Sequence, residues 1–266
     1  MTAVTTFDIH DGPHPAAETV LLSAGLGGAV GYWTPQIAAL RQHYRVVAYD
    51  QAGTGRNRGD LPDGYRIAAM ADEVLSVLEA SQTRKVHFVG HALGGLVGLD
   101  LALRQADRLR SLTVVNGWAA AHAHTRRCFD MRLALLKHEG AAAYVKAQPI
   151  FLFPADWLAR NEARAAQEEA HGLAGFQGAH NLQARIGALL AFDVRNQLAS
   201  LRLPTLIAAA RDDVLVPSTM SEALAAAIPG ARLHIAPWGA HAINVTEPAA
   251  FNALLLDFLS CIPKTA

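Results

Sequence analysis

The chain has 266 residues, 52% of them hydrophobic, and its Lys+Arg and Asp+Glu totals are equal at 23 each. That length and apolar content suit one α/β domain with an insertion and a large buried core. The balanced charge leaves no electrostatic footprint for nucleic acid or an anionic membrane, and no apolar run approaches the ~20 residues that span a bilayer.

In chain order, apolar runs alternate with helical patterns. The N-terminal "MTAVTTFDIHDG" lacks the basic and apolar regions of a signal peptide, so a cytoplasmic location is expected. "TVLLSAG" (19–25) reads as a buried strand, "WTPQIAALRQH" (33–43) as a helix with Pro35 in its first turn, and "YRVVAYD" (44–50) as the next strand. "IAAMADEVLSVLEAS" (67–81) puts Ile67, Met70, Val74 and Leu78 on one helical face. Then come "KVHFVG" (strand), "GGLVGLDLALRQA" (helix) and "LRSLTVVNG" (strand). Between Trp118 and Leu198 the alternation stops, and the segment is helical in character, broken at Pro149 and Pro154. It resumes with "TLIAAARDD" (strand), "STMSEALAAAI" (helix), "RLHIAPWG" (strand) and "PAAFNALLLDFLS" (helix).

Near-continuous apolar strands alternating with helices predict a mostly parallel central sheet covered by helices on both faces. The expected organisation is a core in two parts, 1–117 and 199–266, with a helical cap insertion over 118–198. The cap should lie over the carboxyl edge of the sheet, where such folds bind ligands.

The stretch "VHFVGHALGGLVG" has the setting of a G-x-S-x-G nucleophile elbow, a strained strand-to-helix turn, but its centre is Ala92. A methyl group cannot attack. The elbow would still aim the backbone N–H of Leu93 at a reacting oxygen. A second donor is expected from "SAGLGG" (23–28), around Gly25, with the N–H of Leu26 as the best candidate. "ARDDVLVP" supplies Asp213 as the acid, with Asp212 in reserve, and "PWGAHAINVTEP" supplies His241. The order elbow, Asp, His is that of a hydrolytic triad on this type of sheet.

Other chemistry is weakly signalled. His91 is expected to pack beneath the strand. Cys128 and Cys261 read as reduced thiols, and Cys128 has no evident base beside it. Neither the H-x-x-x-H spacings (His10 with His14, His87 with His91) nor His122 with His124 lies on a helical face suited to metal, so no metal is expected. "YDQAGTGRN" lacks a phosphate-binding pattern, and no cofactor is expected. Arg126 and Arg127 in "AHAHTRRCF" offer a guanidinium that could hold a small carboxylate if the insertion covers the site.

Taken together, these motifs resemble the α/β-hydrolase superfamily across nearly the whole chain. The segments "NGWAAAHAHTRRCF", "AQPIFLFPADW", "FQGAHNLQARIGAL" and "HAINVTEPAAFNALLL" resemble more closely the pyrimidine-utilisation protein D family of the Rut pathway of uracil breakdown, whose members also carry Ala in "GHALG". The resemblance implies an α/β-hydrolase fold and a hydrolase acting on a labile small substrate. That substrate is carbamate, giving ammonia and carbon dioxide, or 3-aminoacrylate, giving malonic semialdehyde and ammonia. It also implies, by analogy with dimeric relatives, a homodimer. The rival expectation is a silent fold that binds a ligand without turning it over.

Overall fold

The computed structural model describes residues 5–263. Residues 1–4, part of the stretch read above for a leader, and 264–266 lie outside it. The elements run β1 (Phe7–His10), β2 (Thr19–Ser23), α1 (Thr34–Leu40), β3 (Arg45–Tyr49), α2 (Ile67–Ala80), β4 (Val86–His91), α3 (Leu93–Arg104) and β5 (Leu109–Val115). Four helices follow: α4 (Ala123–Leu152), α5 (Ala155–Arg160), α6 (Glu162–Ala174) and α7 (Ala179–Ala191). The chain then returns through β6 (Thr205–Ala210), α8 (Ser218–Ala227), β7 (Arg232–Ala236), α9 (Ile243–Thr246) and α10 (Pro248–Ser260).

These strands form one sheet in the order β1-β3-β2-β4-β5-β6-β7, parallel except for β1 against β3. The apolar runs are continuous because both faces are covered. Side chains alternate between faces along each strand. Leu21, Val47, Phe88 and Val114 point into a core shared with α2 and α3, while Val20, Val46, Val89 and Val115 point into a second one against α1 and α10. Each such side chain contributes roughly 1.5–3 kcal/mol by leaving water. Strand β1 was not legible in the sequence. It is a four-residue edge strand, only partly buried, with no apolar run to mark it.

The order β3-β2-β4 positions the site. The chain leaves β2 toward one edge of the sheet and returns through α2 to β4 on the other side of β2. The carboxyl ends of β2 and β4 therefore flank a topological switch point, where the covering connections diverge. The Gly25 loop follows β2 and the elbow follows β4.

Helix α4 is broken at Gly140, whose φ of 85° and ψ of −175° only glycine adopts readily. Its two segments pack against each other, as the bond from Arg132 to Tyr144 across the break shows. No helix among the described residues is long and apolar enough to cross a membrane.

Candidate active site

Ala92 sits between β4 and α3 with φ 47° and ψ −111°, a conformation costly for any residue with a side chain. The turn is locked from outside. The Ala92 N–H donates to the Val115 carbonyl at 2.8 Å, and α3 presses so closely on β2 that a Cβ at Gly94 would lie 2.2 Å from the Ser23 oxygen. Leu93 opens the helix, so its N–H has no intrahelical acceptor and faces outward from the helix N-terminus.

The Gly25 loop is held by its carbonyls. Gln51 donates to Ala24 O at 2.7 Å, Gln177 donates to Leu26 O at 3.0 Å, and the fully buried Arg185 donates to Gly25 O at 3.5 Å and to the Gln51 side-chain oxygen. In a trans peptide the N–H points opposite to the C=O. With the Gly25 carbonyl turned to the Gly28 N–H and Arg185, the Leu26 N–H is turned the other way and makes no hydrogen bond among the described residues. Gly25 itself is required by packing, since a Cβ there would meet Nδ1 of His91 at 2.8 Å.

His241 Nδ1–H donates to Asp213 Oδ2 at 2.7 Å, both side chains being buried. The other carboxylate oxygen, Oδ1, accepts the backbone N–H groups of Leu215 and Val216, each at 2.8 Å. Three donors thus fix the carboxylate, and the carboxylate fixes the imidazole in the tautomer with a free Nε2. Asp212, the reserve acid, does something else: it accepts the N–H groups of Ala240 and Gly239 at 2.9 and 3.3 Å and shapes the loop that holds His241.

The backbone of His241 is clamped too. Its carbonyl accepts from Asn116 Nδ2 at 2.6 Å and from His91 Nε2–H at 2.8 Å. The His91 ring stands edge-on to the His241 ring, with centroids 4.7 Å apart, and also packs against Tyr32 at 4.8 Å. Burial first, and the neighbouring His241 second, push the His91 pKa well below the histidine range. His91 is thus a neutral, structural partner. Burial likewise raises the Tyr32 phenol, which donates to Asn244 Oδ1 at 2.7 Å.

The structure does not bring Arg126 or Arg127 to this site, which corrects the expectation that one of them would hold a carboxylate there. Both are exposed. Arg126 donates to Leu190 O at 2.9 Å and Arg127 to Ala123 O at 3.3 Å. The buried face of α4 is Thr125, Cys128, Phe129, Arg132 and Leu136, a run at helical spacing that turns 126 and 127 outward. The phase of those residues in the sequence was the signal to read. It points to Arg132, which the sequence analysis passed over, as it did Asn116, Gln51 and Arg185. Cys128 is buried with Sγ near the Val214 carbonyl, and Cys261 is exposed; neither is bonded to another cysteine. No three His, Cys, Asp or Glu side chains among the described residues gather closely enough to hold a metal ion.

Comparison with known proteins agrees with this fold. Residues 18–248 match the α/β hydrolase fold family. A protein of Agrobacterium fabrum named as a candidate carbamate hydrolase, RutD, is 49% identical over 253 residues, 95% of this chain and 97% of that protein. A protein of the same name from Variovorax paradoxus is 52% identical over 96% of this chain and 95% of its own length.

The chain belongs to the α/β-hydrolase family, and within it to the RutD family. Among solved α/β-hydrolases, the enol-lactonase of Burkholderia xenovorans superposes with a TM-score of 0.86 at 28% identity, covering 96% of both chains. A hydrolase of Pseudomonas aeruginosa matches with the same TM-score of 0.86 at 31% identity, over 96% of this chain and 94% of that one.

Proposed function

We propose that this RutD-family protein accelerates the breakdown of a small labile carboxylate, carbamate before 3-aminoacrylate, with the pair His241–Asp213 and no covalent intermediate. The observation that carries the reading is the buried 2.7 Å contact between His241 Nδ1 and Asp213, which leaves Nε2 available beside an elbow whose residue is Ala92. The names of the relatives support carbamate as the substrate.

For carbamate the residues suffice without a nucleophile. Protonated His241 gives the Nε2 proton to the substrate nitrogen. The C–N bond breaks with its electron pair going to nitrogen, and ammonia and carbon dioxide leave; His241 regains its proton from water. The N–H groups of Leu26 and Leu93 face the carboxylate oxygens. For 3-aminoacrylate the neutral ring acts as base on a water molecule, and one water is consumed to give malonic semialdehyde and ammonia. A positioned base or acid is worth about 10²–10⁴ in rate. Backbone donors and binding alone can leave a similar factor when a triad nucleophile is absent. Such factors would be inadequate for an amide but sufficient for molecules that already fall apart in water.

On this reading α4–α7 act as a cap. Leu152 O accepts the Ala242 N–H at 2.9 Å and Gln177 reaches the Leu26 carbonyl, so both ends of the site are covered from the same layer. The test is ammonia release from freshly generated carbamate at mildly alkaline pH, with 3-aminoacrylate in parallel, for native protein and His241→Ala. A rate above the spontaneous one that disappears in the variant is expected. Equal rates for both proteins and the blank would refute catalysis and leave a ligand-binding role.

A further inference from the structure

Arg132 is a buried cation without an anion. Its relative exposure is 3%, and no carboxylate among the described residues pairs with it. Among the described residues its only hydrogen bond runs from Nη2 to the Tyr144 hydroxyl oxygen at 2.6 Å, and Nε is buried with no acceptor. The guanidinium lies over the rings of Phe129, Tyr144 and Phe151, at 5.2, 5.1 and 5.5 Å. Cation–π contact contributes about 2 kcal/mol or more for a desolvated pair but supplies no hydrogen-bond acceptor. Stripping water from an ion costs several kcal/mol, and an unpaired one stays costly. A guanidinium cannot relieve this by losing its proton. The fully buried Arg185 also has an unpartnered Nε, but it differs at its terminal nitrogens, which meet three oxygens, of Gln51, Ala52 and Gly25, where Arg132 meets one.

Three chains of contact tie Arg132 to the active site. One and two turns before it on the same face of α4, Cys128 touches the Val214 carbonyl and Thr125 Oγ1–H donates to Leu215 O at 3.0 Å, so that face looks onto the turn carrying Asp213. Phe151, stacked on the guanidinium, precedes Leu152, whose carbonyl accepts the N–H next to His241. Tyr144, the hydrogen-bond partner, packs on Phe176 at 6.2 Å, and the following residue, Gln177, donates to Leu26 O. Asp213, His241 and Leu26 each lie within two residues of one of these contacts.

We propose that Arg132, with the Tyr144 hydroxyl, is the carboxylate anchor of this site and selects small monocarboxylate substrates. Nε–H and an Nη–H of one guanidinium present the parallel pair of donors that a carboxylate accepts. Burial raises the Tyr144 pKa, so its hydroxyl keeps the hydrogen it can donate to the same anion. With one lobe of each oxygen taken by that fork, the carboxylate keeps acceptor lobes enough for the backbone N–H groups of Leu26 and Leu93. The inference rests on the proposed function for where the substrate sits, but not for whether it reacts.

An inert probe separates the two. Binding of propionate, and of propionamide as its neutral match, is measured by calorimetry on native protein, Arg132→Gln, Arg132→Met and His241→Ala. Native protein and His241→Ala should both bind propionate in preference to the amide. Both Arg132 variants should bind it about tenfold or more weakly. Thermal unfolding controls for folding: Arg132→Met removes an unpaired charge from an aromatic box, so its Tm should equal or exceed the native one, whereas a purely structural arginine would lower it. Equal propionate binding by Arg132→Gln, equal binding of the amide, no propionate binding by native protein, or a Tm loss in Arg132→Met with binding intact would each overturn the proposal. Loss of carbamate turnover in native protein with propionate binding retained would instead count against the catalytic reading alone.

Discussion

Replacing Asp213 by Asn separates what the carboxylate does for the fold from what it does for the imidazole. The side chain accepts three hydrogen bonds, two on Oδ1 from Leu215 and Val216 and one on Oδ2 from His241. Asn has one oxygen. If that oxygen stays with the two backbone donors, the amide NH₂ faces His241 Nδ1. If it faces His241, two buried N–H groups meet another donor, at about 1–3 kcal/mol for each group left unsatisfied. The first orientation wins, and an NH₂ beside Nδ1 forces the ring into the opposite tautomer, with the hydrogen on Nε2. The ring can then no longer accept a proton there, and as a neutral imidazole it is a far weaker acid. The expected loss is about 10²–10⁴ in the accelerated rate, or roughly 3–5 kcal/mol of barrier. Global stability should fall by only about 1 kcal/mol, because the backbone bonds survive. The assay is ammonia release above the spontaneous rate, paired with urea unfolding of the same preparation. Since Asp213 acts through His241, the double variant with His241→Ala should be no slower than His241→Ala alone. An Asp213→Asn rate within about twofold of native would refute the tautomer argument.

Two further expectations concern the scaffold. Gly94→Ala would place a methyl 2.2 Å from Ser23 O and 2.6 Å from Ala24 O, backbone atoms that cannot yield, whereas Gly187→Ala in α7 meets nothing within 4 Å. The first should cost about 3 kcal/mol and several degrees in Tm, and the second should be neutral or slightly stabilising; similar Tm values for the two variants would contradict the packing described for the elbow. Acidification should weaken the fold through His91. Its folded pKa lies well below the usual 6.5 because of burial, while the unfolded chain takes up the proton near 6.5, so below that pH the unfolded state binds more protons and stability declines. Between pH 7.5 and 5.5 the native protein should lose more stability than His91→Phe in chemical denaturation, and parallel losses would show that His91 is not buried neutral.

The parts of this molecule legible in its sequence are those set by local pattern. The doubly covered strands announced themselves because their residues are apolar on both faces. The elbow was recognisable from glycines whose spacing reflects close approach within a single turn, and His241 and Asp213 could be placed because each follows a strand end. What stayed hidden depends on contacts between distant segments. Asn116 acts on a carbonyl 125 positions away and Arg185 on one 160 positions away. Nothing beside either residue in the chain signals such a partner. Arg126 and Arg127 drew attention by adjacency, but the helix phase, set by Thr125, Cys128 and Phe129, buries Arg132 instead. Strand β1 escaped because an edge strand has one neighbour and needs little apolar content.

The turn at Ala92 keeps the strained geometry of a nucleophile elbow while presenting only a methyl group. No acyl or phosphoryl adduct can form at that position, so reagents that mark serine hydrolases by covalent capture, such as fluorophosphonates, have no atom there to capture. A census of active hydrolases taken with such probes would pass over this protein, although its fold stands one oxygen atom away from being counted.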